Sequence, residues 1–200
     1  MTRRDDRTAL SRELAKLRAC RHCVAMLPFP PRPVVQIATT ARLLIVGQAP
    51  GRKVHETGVP WNDDSGSRLR AWTLLEPADF YDESKVAIVP MGFCYPGVAE
   101  AGGDNPPPPE CATLWHERLL ARLPERRLTL LVGQYAQRFY LGPRRKRNLT
   151  ETVRAFAEYG PQYFPLPHPS WRSQIWSRRN PWFADLVLPA CREAVRNALA

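Results

Sequence analysis

Two stretches of this chain gather residue types that can break a bond. The first is "FPLPHPSWRSQIWSRRN", which begins at Phe164. Pro165, Pro167 and Pro169 fix their own φ angles and restrict the residues before them, so His168 sits on a stiff turn. A neutral histidine so held can donate a hydrogen bond to an oxygen that gains negative charge in a transition state. It can equally be a loop histidine bonded to backbone. Ser170 and Arg172 follow it at once, and Trp171, Trp176, Trp182, Arg178 and Arg179 crowd the same stretch. Arginine with tryptophan suits a nucleic acid, through phosphate forks and base stacking. The second stretch is "VGQAPGRKVHETGVPWNDDSG", residues 46–66. Gly47, Pro50 and Gly51 make a tight turn whose backbone N–H groups can face an anionic oxygen, or simply join a strand to a helix. The glycine spacing fits neither a P-loop nor a dinucleotide fingerprint. Trp61 can stack on a planar base or cover the core. Asp63 and Asp64 can orient a water or face a developing cation, and either can cap the helix that follows.

Cysteine supplies a third set. Cys20 and Cys23 form a C-x2-C pair, and Cys94 and Cys111 each lie beside a proline-rich turn. Four such thiolates can hold zinc or an iron–sulfur cluster. Cys191, on the terminal helix, is read as a small buried apolar residue. The run "GPRRKRN" (142–148) is a solvated loop or an extension of a phosphate-binding surface.

Something must position these residues, and 200 residues suffice for one domain with a substantial core. We read residues 1–200 as that domain, with an N-terminal helix and a cysteine-containing connector over 1–41. The formal charge is +10, and 25 of the 29 basic residues are arginine. That balance favours an anionic partner. No run approaches the roughly 20 apolar residues of a membrane span. The first residues carry charge without an apolar secretory core, so a cytoplasmic protein is expected, with its cysteines as ligands or free thiols. Leu10, Leu14 and Leu17 have helical spacing. "RLLIVG" (42–47), "KVAIVP" (85–90) and "LTLLVG" (128–133) are continuous apolar runs of the kind parallel strands show when buried on both faces; "QYFPLP" is a fourth strand. Helices are predicted in "DSGSRLRAWTLL", "PPPPECATLWHERLLARL", "QYAQRFYLG" and "LTETVRAFAEYG", the last without a capping box at Thr150–Val153. The C-terminal helix is expected to be interrupted at Pro189. Strands alternating with helices give an α/β fold, a three-layer α/β/α sandwich around a mostly parallel four-stranded sheet. In such sheets ligands bind beyond the carboxyl ends of the strands, where "GQAPG", "PMGFCYPG" and "PHPSWR" converge.

In this order the motifs resemble the uracil-DNA glycosylase superfamily, and within it the iron–sulfur (family 4-like) branch. The resemblance rests on Cys20/Cys23, Gly47-Gln48-Ala49-Pro50-Gly51, Gly58-Val59-Pro60-Trp61, Cys94, Cys111 and His168-Pro169-Ser170, and spans residues 20 to about 183. It implies a DNA repair hydrolase that excises uracil and initiates base excision repair. It further implies that Gln48, Ala49 and Gly51 line the base pocket, that Trp61 stacks on the flipped base in place of the family phenylalanine, and that His168 meets the charge on uracil O2. Ser170 and Arg172 would press on the DNA backbone. Cys20, Cys23, Cys94 and Cys111 would hold a structural 4Fe–4S cluster, with zinc as the other occupant.

The chain departs from that pattern in three places. Gln48 stands where the iron–sulfur branch has glutamate, and an amide cannot take a proton from water. Asp64 matches the catalytic aspartate of a related branch and is the expected carboxylate, with Asp63 one residue away as the alternative. Pro90 stands where the branch reads uracil with asparagine, so Asn62 or backbone groups must read the pyrimidine. The covalently trapping branch has a basic insert between the third and fourth cysteines, which Tyr95–Pro109 lacks, so turnover is expected. A monomer that engages DNA is expected. Two other readings compete: a non-catalytic nucleic-acid-binding module with a four-cysteine metal site, and a glycosylase for another deaminated base.

Overall fold

A computed structural model describes residues 3–100 and 102–200. The elements run α1 (Arg3–Arg18), β1 (Leu43–Val46), α2 (Arg52–Thr57), α3 (Asp64–Thr73), α4 (Pro77–Phe80), β2 (Val86–Ile88), α5 (Pro109–Leu120), β3 (Leu128–Val132), α6 (Gln134–Leu141), α7 (Leu149–Arg154), β4 (Tyr163–Leu166), α8 (Trp171–Arg179) and α9 (Leu188–Leu199). The sheet order is β2-β1-β3-β4 and every pairing is parallel. The expected three-layer α/β/α architecture is the one observed. Alternate strand residues feed opposite cores. Leu44, Val46, Ala87 and Leu131 face one side with residues of α1, α5 and α6. Leu43, Ile45, Ile88, Leu130 and Phe164 face the other with residues of α3, α7 and α9. Both faces are covered, which is why the strands read as unbroken apolar runs.

Chain order places β2 on one side of β1 and β3 on the other. The connection after β1 runs to β2 and the one after β3 runs the other way to β4, so a crevice opens between the carboxyl ends of β1 and β3. The residues that follow β1, β2 and β4 are the ones singled out above.

The helices differ from expectation where they face solvent. α8 has a single fully buried residue, Ser173, and α2 only Val54; neither can show an apolar stripe. The C-terminal segment is not broken at Pro189. A π-helical turn (Phe183–Val187) runs into α9 without a break, and Pro189 sits in the first turn of α9. α7 is capped two residues before Thr150: Asn148 accepts from the Glu151 N–H at 2.8 Å and donates to the Glu151 carboxylate at 2.7 Å. The cap is reciprocal, with Glu151 accepting from the side-chain amide of Asn148 in place of the backbone N–H of a capping box.

Candidate active site

A cavity of about 370 Å³ lies at the carboxyl edge of the sheet, at the small end of the range for ligand sites. Gly47–Gly51 form one wall, Pro60, Trp61 and Asp63 a second, and His168, Ser170, Trp171 and Arg172 a third. Of the residues read from the sequence, Gln48, Ala49, Gly51, Trp61, Asp63, His168, Ser170 and Arg172 all line it. Asn62 and Asp64 do not. Asp64 is exposed in the first turn of α3, so the expected order of the two aspartates is reversed: Asp63 is the one that faces the cavity.

Local chemistry explains the reversal. Asp63 is the N-cap of α3, and its Oδ1 accepts from the Gly66 N–H at 2.8 Å. Its Oδ2 remains for the cavity and points towards Gly51, lying 3.8 Å from where a Cβ on that glycine would be. Trp61, two residues earlier, adopts a left-handed backbone (φ 55°), unusual for a bulky residue. Its carbonyl lies so close to Gly66 that a Cβ there would be 1.7 Å away. The same carbonyl accepts from Arg70 at 3.3 Å and the Tyr81 hydroxyl at 3.4 Å. The indole, turned inward, reaches Gly47, where a Cβ would stand 2.7 Å from Cζ2. Gly47 thus makes room for an aromatic larger than phenylalanine.

His168 lies beside that indole, with ring centroids 5.7 Å apart and planes inclined by 32°. Its strand is tied to α6 and β3 by the buried Gln137 amide, which donates to the Leu166 carbonyl at 2.8 Å and to the Leu131 carbonyl at 3.3 Å. Its turn is tied to α3 by Arg68, which donates to the Pro169 carbonyl at 2.7 Å. Desolvation holds the imidazole below its ordinary value; Asp63 opposes that shift and Arg68 adds to it. The ring is therefore neutral near pH 7, and a neutral ring donates a hydrogen bond without bringing a net charge.

One side of the cavity was not foreseen. Residues 97–100 and 102–105 pair with each other, with Asp104 bridged to Val98 and the Asn105 N–H donating to the Gly97 carbonyl at 2.8 Å. Gln48 donates to the Asn105 carbonyl at 3.0 Å, which ties this hairpin to the turn after β1. Gly102, Gly103 and Asp104 thereby reach the cavity mouth. Asp104 Oδ2 lies 3.5 Å from the same point on Gly51 that Asp63 approaches. Partial burial, and then the charge of Asp63, raise the Asp104 carboxyl above the usual carboxylate range.

Pro90 also lines the cavity, and its carbonyl is held from behind. His116 Nε2 lies 2.9 Å from it, and His116 Nδ1 lies 2.6 Å from the Tyr140 hydroxyl. Burial pushes His116 down from 6.5 to about 4. The unfolded chain takes up this proton near 6.5 and the folded chain only near 4, so stability falls as pH drops between those values. The loss should reach about 3 kcal/mol below pH 4. Urea denaturation at pH 7 and pH 4 checks this, and the difference should shrink in His116→Gln, which cannot titrate. An unchanged difference in that variant would count against the assignment.

The four cysteines of the expected ligand set come together elsewhere. Cys20, Cys23, Cys94 and Cys111 line one enclosed space of about 20 Å³, with Phe93, Trp115 and three prolines. None is in a disulfide. Burial pushes Cys94 up to about 11 and Cys111 up to about 12, with smaller contributions from neighbouring cysteines. Backbone N–H groups of Arg32 and Phe93 counter this by hydrogen-bonding to the two sulfurs. Among the described residues no group of three or more ligands closes on a point suited to a single metal ion. Cys191 is fully buried in the second core, as expected.

A family model described as the uracil DNA glycosylase superfamily matches residues 34–192. Among solved structures, the crystal structure of wild-type Pedobacter heparinus SMUG2 is similar at 14% identity and a TM-score of 0.42. That alignment covers 79% of this chain and 77% of that one.

Proposed function

The chain belongs to the uracil DNA glycosylase superfamily, and on that footing we propose that it hydrolyses the N-glycosidic bond of uracil in DNA. One observation carries the reading: a desolvated, neutral histidine, an inward-turned indole and a free carboxylate oxygen meet in one cavity. Arginine contacts to phosphate bind the duplex or single strand. Arg172 lies over the exposed Trp171 ring, 4.9 Å from its centroid, and presents both to the DNA at the cavity mouth. The target nucleotide leaves the stack at a cost of a few kcal/mol, least where it is mispaired. Its ring slides against Trp61. As C1′–N1 breaks, the electron pair goes to the base, and His168 donates a hydrogen bond to the oxygen that takes the charge. Asp63 faces the sugar as it becomes cationic. The protein acts as a monomer on one strand at a time.

Incubating the purified protein with single- and double-stranded oligonucleotides containing one uracil, then cleaving with alkali, tests this. Strand scission at the uracil is expected; binding without scission would make it a nucleic-acid-binding module instead. Pro90, at the wall where the branch has asparagine, favours a second reading, in which hypoxanthine or another deaminated base is the better substrate. An oligonucleotide carrying hypoxanthine belongs in the same experiment.

The four cysteines suit a 4Fe–4S cluster as donors: free thiols from three segments on one space, two of them receiving backbone N–H groups. Such hydrogen bonds are how proteins tune cluster sulfurs. The space itself is that of a single water, so a cluster requires the connector carrying Cys20 and Cys23 to move outward. Bound, it would pin that connector against α5 and lend no step to the hydrolysis. Anaerobic purification should give brown protein with about four irons per chain, and Cys23→Ala should lose both colour and thermal stability. Colourless protein with stoichiometric zinc would replace the cluster by a zinc site.

A further inference from the structure

We propose that Asp104 is a catalytic residue, the general base that takes the proton from the attacking water; this deepens the glycosylase reading and rests on it. Gln48, on the turn after β1, carries an amide that cannot act as a base, and it donates to the Asn105 carbonyl. The residue next to Asn105 is Asp104, so the bond that fixes the inert Gln48 also delivers a carboxylate to the same wall. Asp104 and Asp63 both lie within 4 Å of one point above Gly51. Asp63, Asp104 and His168 all line the same cavity. With the base against His168 and Trp61 and the sugar before Asp63, the exposed Asp104 on the same cavity is open to incoming water.

Charge supports the assignment. On a chain of net charge +10, two carboxylates at the mouth of a DNA-binding cavity oppose the phosphates they must approach. A reaction that develops positive charge and needs a proton acceptor makes use of both. Water adds through its oxygen to C1′ while its proton passes to the Asp104 carboxylate. The C1′–N1 electron pair departs with the base, held by the hydrogen bond His168 donates while keeping its proton. Asp104 then returns its proton to solvent, and the base anion takes one from solvent. One water is consumed; a free base and an abasic sugar are formed.

The working form is the ionised one, so activity is complete above the Asp104 value and is lost as pH falls through it. Partial burial and then Asp63 across Gly51 raise that value, Tyr95 and Asp104 interact electrostatically, and Arg172 approaches from Gly103. The acid limb therefore lies above the range of an ordinary aspartate, about 3.9.

Single-turnover excision by Asp104→Asn and Asp104→Ala, on whichever deaminated base the wild type removes, tests the inference. Asp104→Asn should be about 100-fold slower, the lower end for general-base catalysis because Asp63 remains. It should bind the same DNA at least as tightly and lose the acid limb. Added formate should restore part of the rate in Asp104→Ala, which a purely structural role would not allow. A rate in Asp104→Asn near that of wild type, or a slow variant with its acid limb intact and no rescue by formate, would overturn the inference alone. A wild type that excises no base would overturn the parent reading and this with it.

Discussion

Alanine in place of His168 is expected to slow base excision by roughly 10²–10³-fold while the protein stays folded. The imidazole makes its contribution in the cavity. The turn that carries it is held independently, by Arg68 on the Pro169 carbonyl and by Gln137 on the Leu166 carbonyl. The donor acts in a desolvated position beside the Trp61 ring, where a hydrogen bond to a developing anion is worth more than in water. Removing one such preorganised donor typically costs about 3–4 kcal/mol of transition-state stabilisation. Because the ring works neutral, the wild type should show no loss of rate on the alkaline side from this group. His168→Gln, which keeps a donor of similar reach, should recover part of the rate. Binding of uracil-containing DNA should change far less than the rate, since the charge on the oxygen arises only as the bond breaks. Equal losses in binding and rate would assign His168 to substrate grip and leave the anion without a donor.

How much of this could be read from the chain follows from where each residue faces. All four strands were visible because both faces of the sheet are covered: Leu43–Val46 is wholly apolar, and only the buried Thr129 interrupts Leu128–Val132. His168 and the Gln48–Gly51 turn were visible because both lie directly after such strands. α8 was not, because one buried residue in nine leaves no period to detect. The choice between Asp63 and Asp64 turned on a single residue of register, and only the cap decides it. A side-chain acceptor reaches the N–H three residues on, and Gly66 is the residue that the crowding by the Trp61 carbonyl leaves free to be there. A glycine three positions after an aspartate at a helix start was the one available signal. Asp104 had none. It lies in a stretch that composition marks as a loop, and its approach to Gly51 depends on the hairpin closing between Val98 and Asp104 and on the Gln48 bond. Such long-range pairings leave no local period.

Asp63→Asn should slow excision by about 10³-fold, whereas Asp64→Asn should stay within a few-fold of wild type. Asparagine caps helices as well as aspartate does. The Asp63→Asn variant therefore keeps an acceptor for the Gly66 N–H, and with it the α3 start and the Trp61 turn. What it loses is the charge on the oxygen turned to the cavity. A carboxylate about 4 Å from a sugar cation is worth about 4 kcal/mol at an effective dielectric of 20, which is about three powers of ten in rate. Two side effects separate this loss from a general disturbance of the site. Asp63 holds the His168 value up and helps to hold the Asp104 value up. Without its charge both should fall, and the acid limb of whatever excision remains should move to lower pH. DNA affinity should rise slightly, because a negative charge has left a surface that meets phosphate. Thermal unfolding should be close to that of wild type. If Asp64→Asn proved the slower of the two, the cap geometry would have assigned the wrong carboxylate, and the sugar cation would have to be met from the exposed first turn of α3.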